Sequence, residues 1–258
     1  MAEAVRLEVS EQVAIIRIDR PPVNALSRSV IAELAAVAAE TVASGAGAAV
    51  IWGGERVFSA GADIAELRSL PAEELLAFAD SIQAAFRTVA ELPMVTIAAM
   101  CGYAVGGGCE LALAADFRFA AESARVGQPE VLLGLIPGAG GTQRLPRLVG
   151  PGRAKDLILS GRILPAPEAA SIGLVDELHP AGEVLDAALR AARRYAGASR
   201  PAIRGAKRAI DRGFDLPLAQ ALEMETAEFL PLFDTDEWRT ASQTFVEKRR
   251  ARNPPPGA

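Results

Sequence analysis

A single histidine, His179, stands among 258 residues. A multi-histidine metal site is therefore excluded, and a Ser-His-Asp triad would have to use this one residue. It sits in "VDELHP", which reads as a strand-to-loop exit, and a structural surface role suits it better. Cysteine is as scarce: Cys101 and Cys109 lie in apolar surroundings with no CxxC and no disulfide framework. They read as reduced core residues of a cytosolic protein. Positive charge is not in excess, because the formal net charge is −5. That argues against a general nucleic-acid or anionic-membrane binder. The basic runs Lys248–Arg250 and Arg204–Arg212 read as solvated helix faces. Long apolar runs are missing too. "LPMVTIAAMCGYAVGGG" is broken by Pro and Gly and is too short for a bilayer. The start, "MAEAVRLEVSEQ", lacks a basic-then-apolar signal pattern. There is no GxxxxGK[ST] loop. Gly138-x-Gly140 begins a dinucleotide fingerprint, but Gln143 occupies the place of its last glycine.

What is present is a chain that is 50% hydrophobic, enough for one sizeable α/β core and a smaller appendage. "VRLEV", "QVAIIRID", "AAVIWGG", "PMVTIAAM", "DFRFAA" and "LVDEL" read as strands. "RSVIAELAAVAAETVAS" carries apolar residues at helical spacing and closes at Gly45. "PAEELLAFADSIQAAFRTVAEL" is a helix with Pro71 at its start. "CELALAA", "AKDLILSG" and "APEAASIG" read as short helices, and "VGQPEVLLGLIPGAGGTQRLPRLVG" as loops and short helices. From about Asp186 onward the pattern is helical only, and the tail "NPPPGA" reads as frayed. Strands alternating with helices, then helices alone, predict an α/β core with a C-terminal helical region.

Three segments carry candidate chemistry. In "YAVGGGCELALAADF" three glycines lead into an apolar helix with Glu110 near its start. A helix N-terminus leaves N–H groups unpaired and partially positive, and glycine lets another group approach them. The segment is either a site for a carbonyl oxygen or anion, or a tight turn packed on another element. "FSAGADIAEL" repeats the pattern, with Asp63 able to cap its helix. Two such turns converging two N–H donors on one oxygen would make an oxyanion hole. "GQPEVLLGLIPGAGG" places Glu130 among apolar and turn residues. If the "DFRFAA" strand returns the chain, Glu110 and Glu130 face one cleft. Paired carboxylates there divide acid and base roles.

"FSAGADIAEL", "GYAVGGGCELALAADFRFA", "GQPEVLLGLIPGAGGTQRLPRLVG", "FVEKR" and the early "RPPVNALS" together resemble the enoyl-CoA hydratase (crotonase) family. The resemblance runs in order over nearly the whole chain. It implies a crotonase-like spiral of ββα units over residues 1–195 and a helical trimerisation region over 196–258. It implies that the N–H groups of Ala62 and Gly107 hold a thioester carbonyl while Glu110 and Glu130 orient one water. Val23 and Ala60 match positions along the adenine and pantetheine path, and Asp63 and Ile64 join the substrate-binding set. Lys248 resembles a residue near the adenosine end, acting from a neighbouring subunit. "RPPVNAL" is one residue shorter than the "RPKALNAL" type and lacks its Lys.

The implied activity is reversible syn addition of water to a trans-2-enoyl-CoA, giving a 3-hydroxyacyl-CoA. The resemblance implies no metal or other cofactor, since coenzyme A enters as part of the substrate. It also implies a homotrimer or homohexamer, and the cysteines, charge and broken apolar runs add the expectation of a cytoplasmic, stand-alone enzyme with no nucleic-acid partner and no membrane insertion. Double-bond isomerisation, another CoA-thioester reaction, and a non-catalytic acyl-CoA or RNA binder are the rival readings. An RNA-binding relative would show a lysine-rich helical face, whereas "RSVIAELAAVAAETVAS" has one basic residue, Arg28.

Overall fold

Apolar runs become the central strands. In the computed structural model, which describes residues 3–252, every residue of β3 (Ala48–Trp52) and β4 (Val95–Met100) is buried. Strands covered on both faces have no polar side to alternate with, which is why they read as continuous apolar segments. The "NPPPGA" tail lies outside the described residues. The chain divides into two units, Met1–Ala196 and Gly197–Ala258.

In the first unit β1 (Val5–Ser10) and β2 (Val13–Ile18) form an antiparallel hairpin. The other strands of the large sheet, β6 (Phe117–Ala121) and β9 (Glu177–His179) with β3 and β4, run parallel in the order β1-β2-β3-β4-β6-β9. Three short strands, β5 (Tyr103–Val105), β7 (Arg125–Gly127) and β8 (Ile163–Pro165), make a second sheet in the order β5-β7-β8. The chain thus lays β4 in the large sheet, β5 in the small one, then a helix. It repeats the step with β6, β7 and the 3-10 turn Glu130–Leu133. This is the ββα repeat of the resemblance.

The helices follow their apolar stripes. α1 (Arg28–Ala43) is capped by Ser27 and buries Val30, Ile31, Leu34, Val37 and Ala38 at spacings of three and four. α2 (Ile64–Ser69) is capped by Asp63, whose side chain accepts from Glu66 N–H. α3 (Ala72–Ala90) follows Pro71 and buries Phe78, Ile82, Ala85, Phe86 and Val89. α4 (Gly107–Ala114) is buried all round. α5 (Gly141–Val149), α6 (Pro151–Ser160) and α7 (Ala166–Ser171) follow, and α8 (Val184–Ala196) packs across β3, β4 and β6.

The second unit is α9 (Arg200–Gly213), α10 (Leu218–Phe229), the 3-10 turn Leu230–Asp234 and α11 (Asp236–Arg252). α9 and α10 pack on each other, and Arg208 pairs with Glu228. No helix among the described residues is long and apolar enough to cross a membrane.

The structure departs from the sequence reading in three places. α4 begins at Gly107, two residues before the expected "CELALAA", so two glycines belong to its first turn. The "LVDEL" strand is displaced: β9 covers Glu177–His179, which puts His179 inside a strand. β5, β7 and β8 were not foreseen, because three residues are too few for an alternation to register.

Candidate active site

The turn before α2 and the turn before α4 are stitched side by side. Ser59 N–H donates to Tyr103 O at 3.0 Å, and Val105 N–H donates to Ser59 O at 3.1 Å. On the other flank Leu26 N–H donates to Gly61 O at 2.8 Å and Asp63 N–H to Leu26 O at 3.2 Å. Asn24 braces this corner. Its buried amide donates to the carbonyls of Gly53, Val57 and Phe58.

Glycine permits the close approach. Gly61 has φ +93, and a Cβ there would lie 3.0 Å from Gly107 N. A Cβ at Gly107 would lie 3.4 Å from Ala62 N. At Gly108 a Cβ would collide with the Ser59 carbonyl. The backbone nitrogens of Ala62 and Gly107 therefore lie close together where the two turns meet. Neither donates to a protein acceptor among the described residues. Gly107 N–H is one of the orphan donors at the start of α4, the kind of group that can hold an oxygen gaining negative charge.

Glu110 lies in the first turn of the same helix, 3% exposed. Its Oε1 accepts from Ala139 N–H at 2.7 Å and from Gly141 N–H at 2.8 Å. Burial pushes this carboxyl up, while the two N–H groups and the Arg144 guanidinium pull it back. Glu130 opens the 3-10 turn that follows β7, half-buried. Its Oε1 lies next to Gly106, where an added Cβ would meet it at 3.3 Å. Burial pushes Glu130 up to about 7, and the charge of Glu110 adds to the rise. Both carboxylates thus reach one site, Glu110 surrounded by donors and Glu130 mainly desolvated. That asymmetry lets one accept a proton and the other hold one.

The remaining candidates are placed as follows. Val23 is exposed, and its carbonyl accepts from Ala60 N–H at 3.0 Å, which ties those two positions together. Asp63 is committed by its side chain: Oδ1 caps α2 and Oδ2 pairs with Arg20 at 2.8 Å. The Arg20 bond holds its carboxyl below the usual range. Ile64 is 40% exposed beside it. Lys248 lies exposed on α11, in the second unit.

Besides Asn24, sequence reasoning missed Gln128 and Arg144. Gln128 is fully buried, and with its side-chain amide oriented so that the nitrogen faces Glu130 it donates to both carboxylate oxygens, at 3.0 and 3.2 Å. Arg144 on α5 donates to Ala139 O at 3.1 Å. A signal for Arg144's loop was available. "GAGG" is another glycine run entering a helix, and the anion it holds is the protein's own Glu110.

The sequence profile of the family described as Enoyl-CoA hydratase/isomerase matches residues 8–253. This chain belongs to the enoyl-CoA hydratase/isomerase family. It is 42% identical over 255 residues to a probable enoyl-CoA hydratase of Rhizobium meliloti, covering 96% of this chain and 97% of that protein. It is 40% identical over 252 residues to the crotonyl-CoA hydratase of Syntrophomonas wolfei, with 96% and 97% covered. The crystal structure of an enoyl-CoA hydratase from Bacillus anthracis superposes with a TM-score of 0.91 at 37% identity, over 95% of this chain and 96% of that one. Membership in the enoyl-CoA hydratase/isomerase family accounts for the ββα repeat and for the order of the site segments along the chain.

Proposed function

We propose that this chain is an enoyl-CoA hydratase, a hydro-lyase that adds water reversibly across the double bond of a trans-2-enoyl-CoA. The observation that carries the reading is the meeting of two unpaired N–H groups with two carboxylates in unlike surroundings. Water adds to a conjugated double bond only if the carbonyl takes up negative charge. Ala62 and Gly107 N–H receive that oxygen, each donor contributing about 3–4 kcal/mol to the transition state. Glu110, held by two N–H groups, takes the proton from the water adding at C3. Glu130, raised by burial, delivers a proton to C2 and recovers it in the reverse direction. The product is a 3-hydroxyacyl-CoA. Coenzyme A arrives with the substrate and no other cofactor takes part.

Val23, Ala60 and Ile64 line the path of the thioester, and Lys248 of a neighbouring subunit contacts the adenosine end of coenzyme A. Asp63 acts there through its backbone, since its carboxylate is engaged by Arg20. The enzyme is a cytoplasmic homotrimer or homohexamer. The test is loss of the enoyl-thioester absorbance when the protein meets crotonyl-CoA. Wild type is expected to turn over rapidly, and Glu110→Gln and Glu130→Gln each to slow by roughly 10²-fold or more. Saturable acyl-CoA binding by folded wild type without hydration would overturn the reading and point to double-bond isomerisation.

A further inference from the structure

We propose that Arg144 is a positioning residue for Glu110, acting through the Ala139–Gly141 loop that holds the carboxylate. The inference takes its catalytic meaning from the hydratase reading, but its geometry stands independently. Ala139 is gripped on both sides. Its N–H donates to Glu110 Oε1 at 2.7 Å, and its carbonyl accepts from Arg144 Nη1 at 3.1 Å. The guanidinium lies against Gly140, where any side chain would collide with it. Gly140 links the two residues whose N–H groups hold Glu110. A second tie comes from α3, where Gln83 Nε2 donates to Gly138 O at 2.8 Å. Gln83 is exposed and neutral, whereas Arg144 brings a fixed cation to the back of the loop.

The charges around Glu110 make that cation matter. From α5, Arg144 is the charged side chain that favours the carboxylate. From the 3-10 turn, Glu130 is coupled to it with the same sign. The neighbouring Cys109 thiol is buried and pushed up, by desolvation first and then by both glutamates, so it stays neutral. From α3, Arg87 acts on Arg144 rather than on Glu110. Among the described residues, Arg144 is thus the charged side chain that offsets the cost of an ionised Glu110. Its fork holds the Ala139 carbonyl with the same Nη1 that lies against Gly140, while the charge is spread over the whole guanidinium, which a lysine cannot reproduce.

The test is a titration of the Glu110 carboxyl by 13C NMR in glutamate-labelled wild type, Arg144→Gln and Arg144→Lys, with Glu110→Gln assigning the resonance. In Arg144→Gln the midpoint is expected to rise by about one pH unit or more, and in Arg144→Lys by less. With crotonyl-CoA, kcat should fall in Arg144→Gln with KM little changed, and the acidic limb of the pH profile should move with the NMR midpoint. A Glu110 midpoint unmoved in folded Arg144→Gln overturns the inference. If that variant does not fold, an unmoved midpoint in Arg144→Lys does the same. Failure of wild type to hydrate crotonyl-CoA would strike the hydratase reading alone, because the resonance titrates whatever the substrate.

Discussion

Burial raises the Glu130 carboxyl from 4.5 to about 7, and that single residue ties the chemistry of the site to the stability of the fold. Between those values the folded chain keeps a proton that the unfolded chain releases. Stability therefore falls as pH rises from about 5 to 7, by about 1–2 kcal/mol once solvent screening of a half-buried group is allowed for. Glu130→Gln removes the ionisation. Urea unfolding should find the variant more stable than wild type at pH 8, with the gap closing at pH 5. The same gap at both pH values would contradict the burial argument. At this scale the sequence was legible where a residue type announced its chemistry. Glu110 and Glu130 stood out beside glycines, and Asp63 as a helix cap. Gln128, Asn24 and Arg144 did not, because their work is to hold backbone or another side chain. A residue's type does not reveal which carbonyl it will face after folding.

The docking of α4 on the preceding turn is the element on which the N–H pair depends. Gly108 lies against the Ser59 carbonyl with no room for a methyl group. Gly108→Ala must push α4 away from that turn, at a cost of about 1–3 kcal/mol. The thermal midpoint should drop, and kcat for crotonyl-CoA should fall further than the stability loss alone explains, since Gly107 N–H moves with the helix. A variant of normal kcat would show that the turn and the helix are not coupled. Elements of this length were legible when their burial was uniform or periodic, as in β3, β4, α1 and α3. The small sheet was not, since β5, β7 and β8 have three residues each and are defined by their partners. α5 was obscured by Pro146, which sits inside the helix and would ordinarily argue for its end.

On the scale of the whole molecule, the second unit leaves large apolar side chains uncovered. Phe214, Leu218, Phe229, Leu230 and Phe245 are each more than half exposed. Exposed apolar side chains of this size mark association, and closed symmetry satisfies it without fibres. Sedimentation equilibrium should return three or six times the 27.0 kDa chain mass, and Phe214→Asp with Phe229→Asp should lower it. A monomer at micromolar concentration would overturn the proposed assembly. Strand patterns in the sequence stop before Asp186, and the described elements after Ala196 are helical. The α/β class followed from that alternation, while the ββα path needed the resemblance.

The two N–H donors, the two carboxylates and Arg144 all fall between Ala62 and Arg144, whereas α8, which lies across β3, β4 and β6, comes later at Val184–Ala196. During synthesis the ribosome therefore releases every group that would do the chemistry before it releases the helix that closes their sheet. The nascent chain then carries the reactive parts and the turns that join them on a sheet that α8 does not yet cover.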